Sequence, residues 1–587
     1  MQERTIDWTD RMNASNRTRS FSIAITGSGG SGAVTTGRIL LEAAALAGLQ
    51  GVMMRSAGPQ IRGGESAAMV RFSPSAVDCM GDRFDLLLAL DWRNAERFAD
   101  EIPLTEQSLI LADPAVGEVP LQLRGNGAQF QPVAFKQLAA SLEGGRINMV
   151  ALGAAGRVVG LSLASLQQAL NRILGPKGER VVAGALAALE FGYAQPLQAR
   201  FSPPSEEPQE ERWNLSGNQA CALGALRGGV RFVAAYPITP ASEMLEWLAP
   251  RLEQLGGSLL QAEDELASVN MIIGASFGGV ASLTATSGPG LSLMMEGLGL
   301  AVMSETPVTV VDVMRGGPST GIPTKSEQSD LNIALYGMHG DAPHLVLAPL
   351  SIVDCVFTTQ WAVQLAEHLQ TVSLVLADQS LGQSRAVVSP PAAVELGLSR
   401  RVETRPADDY LRYQVSETGI SPMTLPGTPD GMYTADGLEH NRQGTPSSMA
   451  VDHREQLAKR AQKLAEFDFG EAWAEIRGSG PRCIITWGSS NGAVLDTVRR
   501  LEEQGEVLRV IALRLLMPLQ SAALHQALKG VEQILVVEQN HSGQLYHYLR
   551  AEGALPDSAH SLAQPGPLPL RPGRILRALD EIGGSGG

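Results

Sequence analysis

The sequence predicts an α/β protein of three doubly wound domains, and three observations carry that expectation. Apolar runs of strand length recur along the chain, each closed by a Gly-, Ser- or Asp-containing turn and followed by a helical apolar period. Glycine is abundant, 63 of 587 residues, while aromatics make up only 5%, a balance that favours layers joined by tight strand-to-helix turns over a β-sandwich. The length also exceeds what one core serves, since chains split into domains beyond roughly 250–300 residues.

The first domain, residues 20–200, opens with FSIAIT, a Gly-rich turn and the helical pattern GRILLEAAALAGL, then the strands GVMMRS and LLLALD. Residues 201–213 form a linker, since FSPPSEEPQEER is rich in Pro and Glu. The second domain, 214–389, carries the strands VRFVAAYP, VASLTATSG, PVTVVDVM, PHLVLA and TVSLVLAD. Residues 390–480 read as an irregular connecting segment with a basic helix, HREQLAKRAQKLAEF, near its end. The third domain, 481–579, contains CIITWGSS, VLRVIALRLL and QILVVEQN with amphipathic helices between them.

Bulk chemistry excludes several functions. A formal charge of −15 argues against nucleic acid as a partner, because phosphate binding needs basic surface. No apolar run reaches the roughly 18 residues of a membrane span, and the first 20 residues do not read as a signal peptide, so the cytoplasm is expected. Cys79, Cys221, Cys355 and Cys483 form no C-x-x-C pair, so no zinc site or iron–sulfur cluster is encoded locally. A redox centre would have to sit on another chain.

The run Gly27-Ser28-Gly29-Gly30-Ser31-Gly32 follows a strand and opens a helix, as a phosphate-cradling loop does. The next strand ends in Arg55-Ser56 where a dinucleotide fold would carry an acid, which speaks against NAD. A tight packing turn and a loop for a phosphate-bearing ligand such as coenzyme A remain, with Gly29, Gly30 and the nearby Arg62 as contacts in the second case.

Four features cluster in the second domain. Tyr236-Pro237-Ile238-Thr239-Pro240 ends a strand, and its prolines stiffen a turn at the edge where open α/β sheets bind ligands. In Glu263-Asp264-Glu265 the acids suit a helix N-terminus. Glu265, however, shares a face with Val269 and Ile272, and apolar neighbours favour a carboxyl's uncharged form. Ser287-Gly288-Pro289-Gly290 is a small-residue turn that admits a flat ring. Arg315, in a Gly-rich loop past a further strand, suits carboxylate recognition.

The string GNQACALGAL…AAYPITPASEMLEWLA…QAEDELASVNMIIGASFGG…TATSGPGLSLMMEGLGLAVMSETPVTVVDVMRGGPSTGIPT resembles the α subunit of 2-oxoacid:ferredoxin oxidoreductases, most closely the 2-oxoglutarate branch. The segment with GSGGSGAVTTGRILLEAA and GPQIRGGES resembles the family's γ subunit fused in front. The segment with VVEQNHSGQL resembles the transketolase C-terminal-like domain. The resemblance spans residues 20–579.

It implies the pyrimidine-binding half of a thiamine diphosphate site. Glu265, nine residues before Gly274 as in the family, would bond the pyrimidine N1′. Thr239 and Arg315 would lie at the substrate carboxylate, and Tyr236, Pro237, Ile238, Ser287 and Gly288 would line the cofactor. The loop Gly419–Gly427 departs from a common family form, with Met423 where Arg stands there.

The resemblance further implies a β subunit carrying Mg²⁺ and a [4Fe-4S] cluster, coenzyme A as co-substrate, ferredoxin as electron partner, and a dimer of αβ heterodimers. The reaction would be oxidative decarboxylation of a 2-oxoacid, reversible to reductive carboxylation. Pyruvate, branched-chain oxoacids and indolepyruvate are alternative substrates, and a non-catalytic scaffold is the alternative role.

Overall fold

A computed structural model of the chain describes residues 20–58, 64–124, 127–203 and 211–584. Arg62, most of the Pro/Glu-rich linker and the first 19 residues lie outside them. The strands form three sheets of eight, seven and five strands.

The first sheet is built on β1 (Phe21–Ser28), followed by helix α1 (Ala33–Leu46), β2 (Gln50–Ala57), β3 (Glu65–Ser73), β4 (Leu86–Ala89), β5 (Leu109–Ala112) and β6 (Gln129–Pro132). β1 is buried from Phe21 to Gly27, as its unbroken apolar run requires of a strand covered on both faces. It pairs in parallel with β4, but β3 lies antiparallel between β1 and β2. The sheet is therefore mixed, and β3, ESAAMVRFS, is an element that the sequence pattern does not announce. Its alanines are weak strand formers, and burial between two neighbours decides the matter instead.

The second sheet takes its strands from β8 (Phe232–Ala235), β9 (Ser258–Gln261), β10 (Ser282–Thr286), β11 (Val308–Met314), β12 (Leu345–Leu347) and β13 (Val372–Asp378), all parallel. The strand order, β12-β13-β11-β10-β8-β9, reverses its winding at β8, so a crevice opens beyond the carboxyl ends of β8 and β10. The helices around it are α2 (Gly217–Arg227), α3 (Ser242–Gln254), α4 (Glu265–Phe277), α5 (Gly288–Met303), α6 (Leu331–Tyr336) and α7 (Asp354–Leu369).

The segments exchange strands. β7 (Trp213–Ser216) and β14 (Arg385–Val388), which flank the second sheet in sequence, hydrogen-bond into the first, β14 pairing with both β2 and β7. The third sheet comprises β15 (Ala474–Arg477), β16 (Arg482–Trp487), β17 (Leu508–Leu513), β19 (Gln533–Glu538) and β20 (His560–Ala563). Its neighbour β18 (Leu515–Met517) leaves to pair with β12 of the second. One hydrophobic core runs through all three segments, from Ala24 and Met69 through Val310 and Leu374 to Trp487.

Between β14 and α8 (Ala450–Ala465) the chain is irregular. It is anchored by a buried ionic group in which Glu305 meets Lys459 at 2.6 Å and also contacts Lys463, while Arg412 donates to the Glu305 carbonyl at 3.0 Å. Met423, where the family form carries Arg, is fully buried. The four cysteines are buried free thiols, with Cys221 of α2 hydrogen-bonded to Cys355 of α7. Among the described residues no helix is long and apolar enough to cross a membrane, and no three His, Cys, Asp or Glu side chains converge to hold a metal.

Candidate functional site at the carboxyl edge of the second sheet

Four strand ends supply the site. Beyond β8, Tyr236 and Pro237 are exposed, Ile238 and Thr239 half-buried, and the Thr239–Pro240 peptide is cis. Beyond β11, Arg315 is 6% exposed and its Nη1 donates to the Thr239 carbonyl at 2.6 Å. The two candidate substrate contacts thus meet across the edge. Burial lowers the Arg315 pKa, against the raising influence of Asp330 and Asp312.

Beyond β9, the structure divides the acidic run. Asp264 is the N-cap of α4, its carboxylate accepting from the Ala267 N–H at 2.7 Å, which satisfies one of the helix's free amide donors. Glu265, one residue on, turns inward to 7% exposure and shares its face with the buried Val269 and Ile272. Beyond β10, Ser287 is the N-cap of α5, its hydroxyl buried without a partner.

Glycine is required at position 290. A Cβ there would fall 2.7 Å from Glu265 Oε1 and 2.1 Å from Thr286 Oγ1, closer than atoms tolerate, so the Glu265 carboxyl lies directly against the α5 backbone. Gly290→Ala is therefore expected to displace Glu265 and lower kcat at least tenfold, since misplacement of a reacting group by about 1 Å can cost about 10²-fold. Steady-state assay alongside a melting curve checks this, because a purely structural effect would lower Tm and leave kcat intact.

Gly288 has a parallel role. A Cβ there would lie 2.7 Å from Asp330 Oδ2, so its absence lets Asp330 close over the Ser287–Gly288 turn. Asp330 belongs to the loop returning from Arg315, whose carbonyl accepts from Ser329 Oγ at 3.1 Å.

Gly288, Arg315 and Asp330 line a cleft of about 690 Å³ together with Asn540, His541 and Gln544, whereas Glu265, Thr239 and Tyr236 are not among its lining residues. Its far wall is supplied by the third segment, which the local sequence pattern does not tie to the site. Gln544 Nε2 donates to the Ser329 carbonyl at 2.9 Å and its Oε1 accepts from the Asn332 N–H at 2.9 Å. Asn540 Nδ2 donates to the Gln328 carbonyl at 3.1 Å, and the Gln539 N–H to Gln328 Oε1 at 2.7 Å. The signal was available in EQNHSGQ, polar residues at the carboxyl end of β19 opening helix α9 (Gln544–Ala551), the same place in a strand–turn–helix unit as the other four.

The first segment braces the site from behind. Arg55 pairs with Glu243 of α3, and Lys325 reaches Glu101 and Ser56. The N-terminal glycine loop lies on the first sheet. There Gly29 N–H donates to the Gly64 carbonyl, Gly30 has φ +90°, and Asp91 accepts from both the N–H and hydroxyl of Ser28. Two of the loop's amides are thereby committed to protein partners, as in a packing turn.

Comparison with known proteins gives this geometry a family. Residues 223–460 match "Pyruvate flavodoxin/ferredoxin oxidoreductase, thiamine diP-bdg", and residues 22–195 match "Pyruvate ferredoxin/flavodoxin oxidoreductase". The chain is 34% identical over 424 residues to the 2-oxoacid:ferredoxin oxidoreductase subunit alpha of Saccharolobus solfataricus, covering 69% of this chain and 66% of the relative. It is 34% identical to the 2-oxoglutarate synthase subunit KorA of Methanothermobacter marburgensis, over 63% of this chain and 97% of that one.

A solved structure, 2-oxoglutarate:ferredoxin oxidoreductase from Magnetococcus marinus with 2-oxoglutarate, coenzyme A and succinyl-CoA bound, superposes with a TM-score of 0.88 at 36% identity. The match covers 96% of this chain and 100% of that one. With a likeness that runs through the thiamine diphosphate-binding segment and the fused first segment alike, the chain belongs to the family of 2-oxoacid:ferredoxin oxidoreductase α subunits.

Proposed function

We propose that the chain is the α subunit, with a γ-like domain (20–200) fused in front, of a 2-oxoglutarate:ferredoxin oxidoreductase. Residues 214–389 would be its pyrimidine-binding domain and 481–579 its transketolase C-terminal-like domain. A 2-oxoacid, coenzyme A and two oxidised ferredoxins give acyl-CoA, CO₂, two reduced ferredoxins and a proton. The observation that carries the reading is the contact of Arg315 with Thr239 at the carboxyl edge of the sheet, with Glu265 turned inward against the α5 backbone at the same edge.

The residues present fit the pyrimidine half of thiamine diphosphate. Glu265 offers a carboxyl to a ring nitrogen, Tyr236, Pro237 and Ile238 would wall the ring, and the Ser287–Gly288 turn, over which Asp330 closes, would border it. Thiamine diphosphate, when bound, supplies the electron sink for decarboxylation. Arg315 would pair with the substrate carboxylate and Thr239 would bond it.

A β subunit carrying Mg²⁺ and the cluster would complete the site. Tyr236, Leu266 and Leu293, all at this edge and 40%, 50% and 51% exposed, support a covering partner, since large apolar groups grouped on a surface mark interfaces.

The test is co-expression with a β subunit of this family and assay of several 2-oxoacids with coenzyme A and a one-electron dye. The highest kcat/KM is expected for 2-oxoglutarate. Preference for another oxoacid would overturn the substrate, and no turnover on any would overturn the activity.

A further inference from the structure

Behind Arg315 lies a pair of carboxyl groups that the proposed chemistry does not use. Asp312, on β11 three residues before Arg315, is fully buried, and neither of its oxygens has a hydrogen-bond donor. Asp330, at the other end of the same loop, comes within hydrogen-bonding reach of it, with Oδ2 buried and likewise without a donor. Ser329 lies within hydrogen-bonding reach of Asp330, but Asp312 has no donor, so the two carboxylates cannot both be ionised at modest cost, and one proton held between them resolves the contact.

The surroundings allow no other resolution. The cation facing the pair is Arg315, one of whose amino groups is committed to the Thr239 carbonyl while its Nε is buried without a partner. Glu327, on the same loop, adds negative charge beside Asp330, and His541 of the third segment lies beyond Glu327. Lys325 is engaged by Glu101 and Ser56. Gly288 lacks the Cβ that would push Asp330 away.

We propose, building on the 2-oxoacid reading above, that Asp312 and Asp330 share one proton and act as positioning residues that set the charge Arg315 presents to an anionic substrate. With the proton in place the pair carries one negative charge that Arg315 balances, so these three groups together present no net charge to an incoming carboxylate. Once the proton is lost, two negative charges face one positive, and the site repels the same carboxylate. Burial is the leading reason that both carboxyls are pushed up, Asp330 to about 6 and Asp312 well above the usual carboxylate range. The shared proton is therefore lost at a higher pH than an isolated carboxyl would lose it.

The αβ complex provides the test. For the wild type, KM for the 2-oxoacid is expected to rise about tenfold between roughly pH 6 and pH 9, with a smaller change in kcat, because one added charge acts mainly on binding. In Asp330→Asn one negative charge is fixed, so the KM profile should flatten to within about twofold over that range. Asp312→Asn should do the same, and serves if the first variant fails to fold. A merely structural role would lower Tm and leave the profile's shape as in the wild type, which would overturn the proposal.

Infrared difference spectra of wild type against Asp330→Asn give a readout without turnover. One protonated, buried carboxyl should vanish from the spectrum at neutral pH. Identical carboxyl bands in the two proteins would overturn the shared proton even if the enzyme is active. A wild type with no 2-oxoacid turnover, but with that band present, would overturn the functional reading and leave the pair standing.

Discussion

Glu265→Gln is expected to lower kcat by about 10²–10⁴-fold in the complex with the β subunit, the range over which a positioned proton-transfer group acts. The amide keeps the size and much of the hydrogen-bonding capacity of the carboxyl, so the packing against Gly290 and Val269 survives. It cannot take or give a proton at a ring nitrogen, which is the step assigned to it. The fold should notice little. Glu265 is the first residue of α4, and an acid there adds only about 0.3–1 kcal/mol through the helix dipole. Assembly and Tm should stay near wild type while turnover of a one-electron dye collapses. Near-normal kcat in a loaded complex would remove Glu265 from the chemistry.

The largest effect on stability is expected at Glu305. Its carboxylate is fully buried between Lys459 and Lys463, with Arg412 buried beside them. Burial would raise its pKa, but the three cations, led by Lys459, hold the group well below the usual carboxylate range. Glu305→Gln leaves those cations without a counter-charge, and breaking such a buried pair costs about 3–5 kcal/mol. Denaturant unfolding should show this directly. Lys463→Met, which removes one cation from an already cation-rich group, should cost much less, and equal losses for the two variants would sink the account.

The cluster also has a pH signature. Burial is the first cause that brings Lys463 down to about 7, against an unfolded value of about 10.4. Between those values the unfolded chain binds more protons than the folded one, so this group's contribution to stability rises with pH across that window. Below it, a third cation must be accommodated and the contribution is smallest.

Much of this was legible in the sequence, for reasons that differ by element. The strands β8, β11 and β13 were readable because a parallel sheet covered on both faces demands near-continuous apolar runs. Glu265 was separable from Asp264 because helical spacing puts it in phase with Val269 and Ile272. β3 was not readable, since Ala67 and Ala68 carry no strand preference and long-range burial alone fixes them. The Asp312–Asp330 contact was hidden for a related reason. Asp312 interrupts a strand that otherwise reads as pure core, and its partner lies 18 residues away at the end of a loop whose path no local pattern specifies. The wall formed by Asn540, His541 and Gln544 depends on how the third sheet docks, which no periodicity encodes.

The strand exchange between the first two segments makes the fused domain an edge guard. β14 runs from Arg385 to Val388 between β7 and β2, with Ala386 opposite Val52 and Val387 opposite Gly51. Excising the first 200 residues would strip one side of β14 of its hydrogen bonds. The excised piece would in turn carry β2 as a raw margin, and unpaired strands of this kind invite pairing with any other chain. Each piece thus keeps the other from self-association, so cutting this polypeptide after residue 200 would leave two bare strand edges where there is now one continuous sheet.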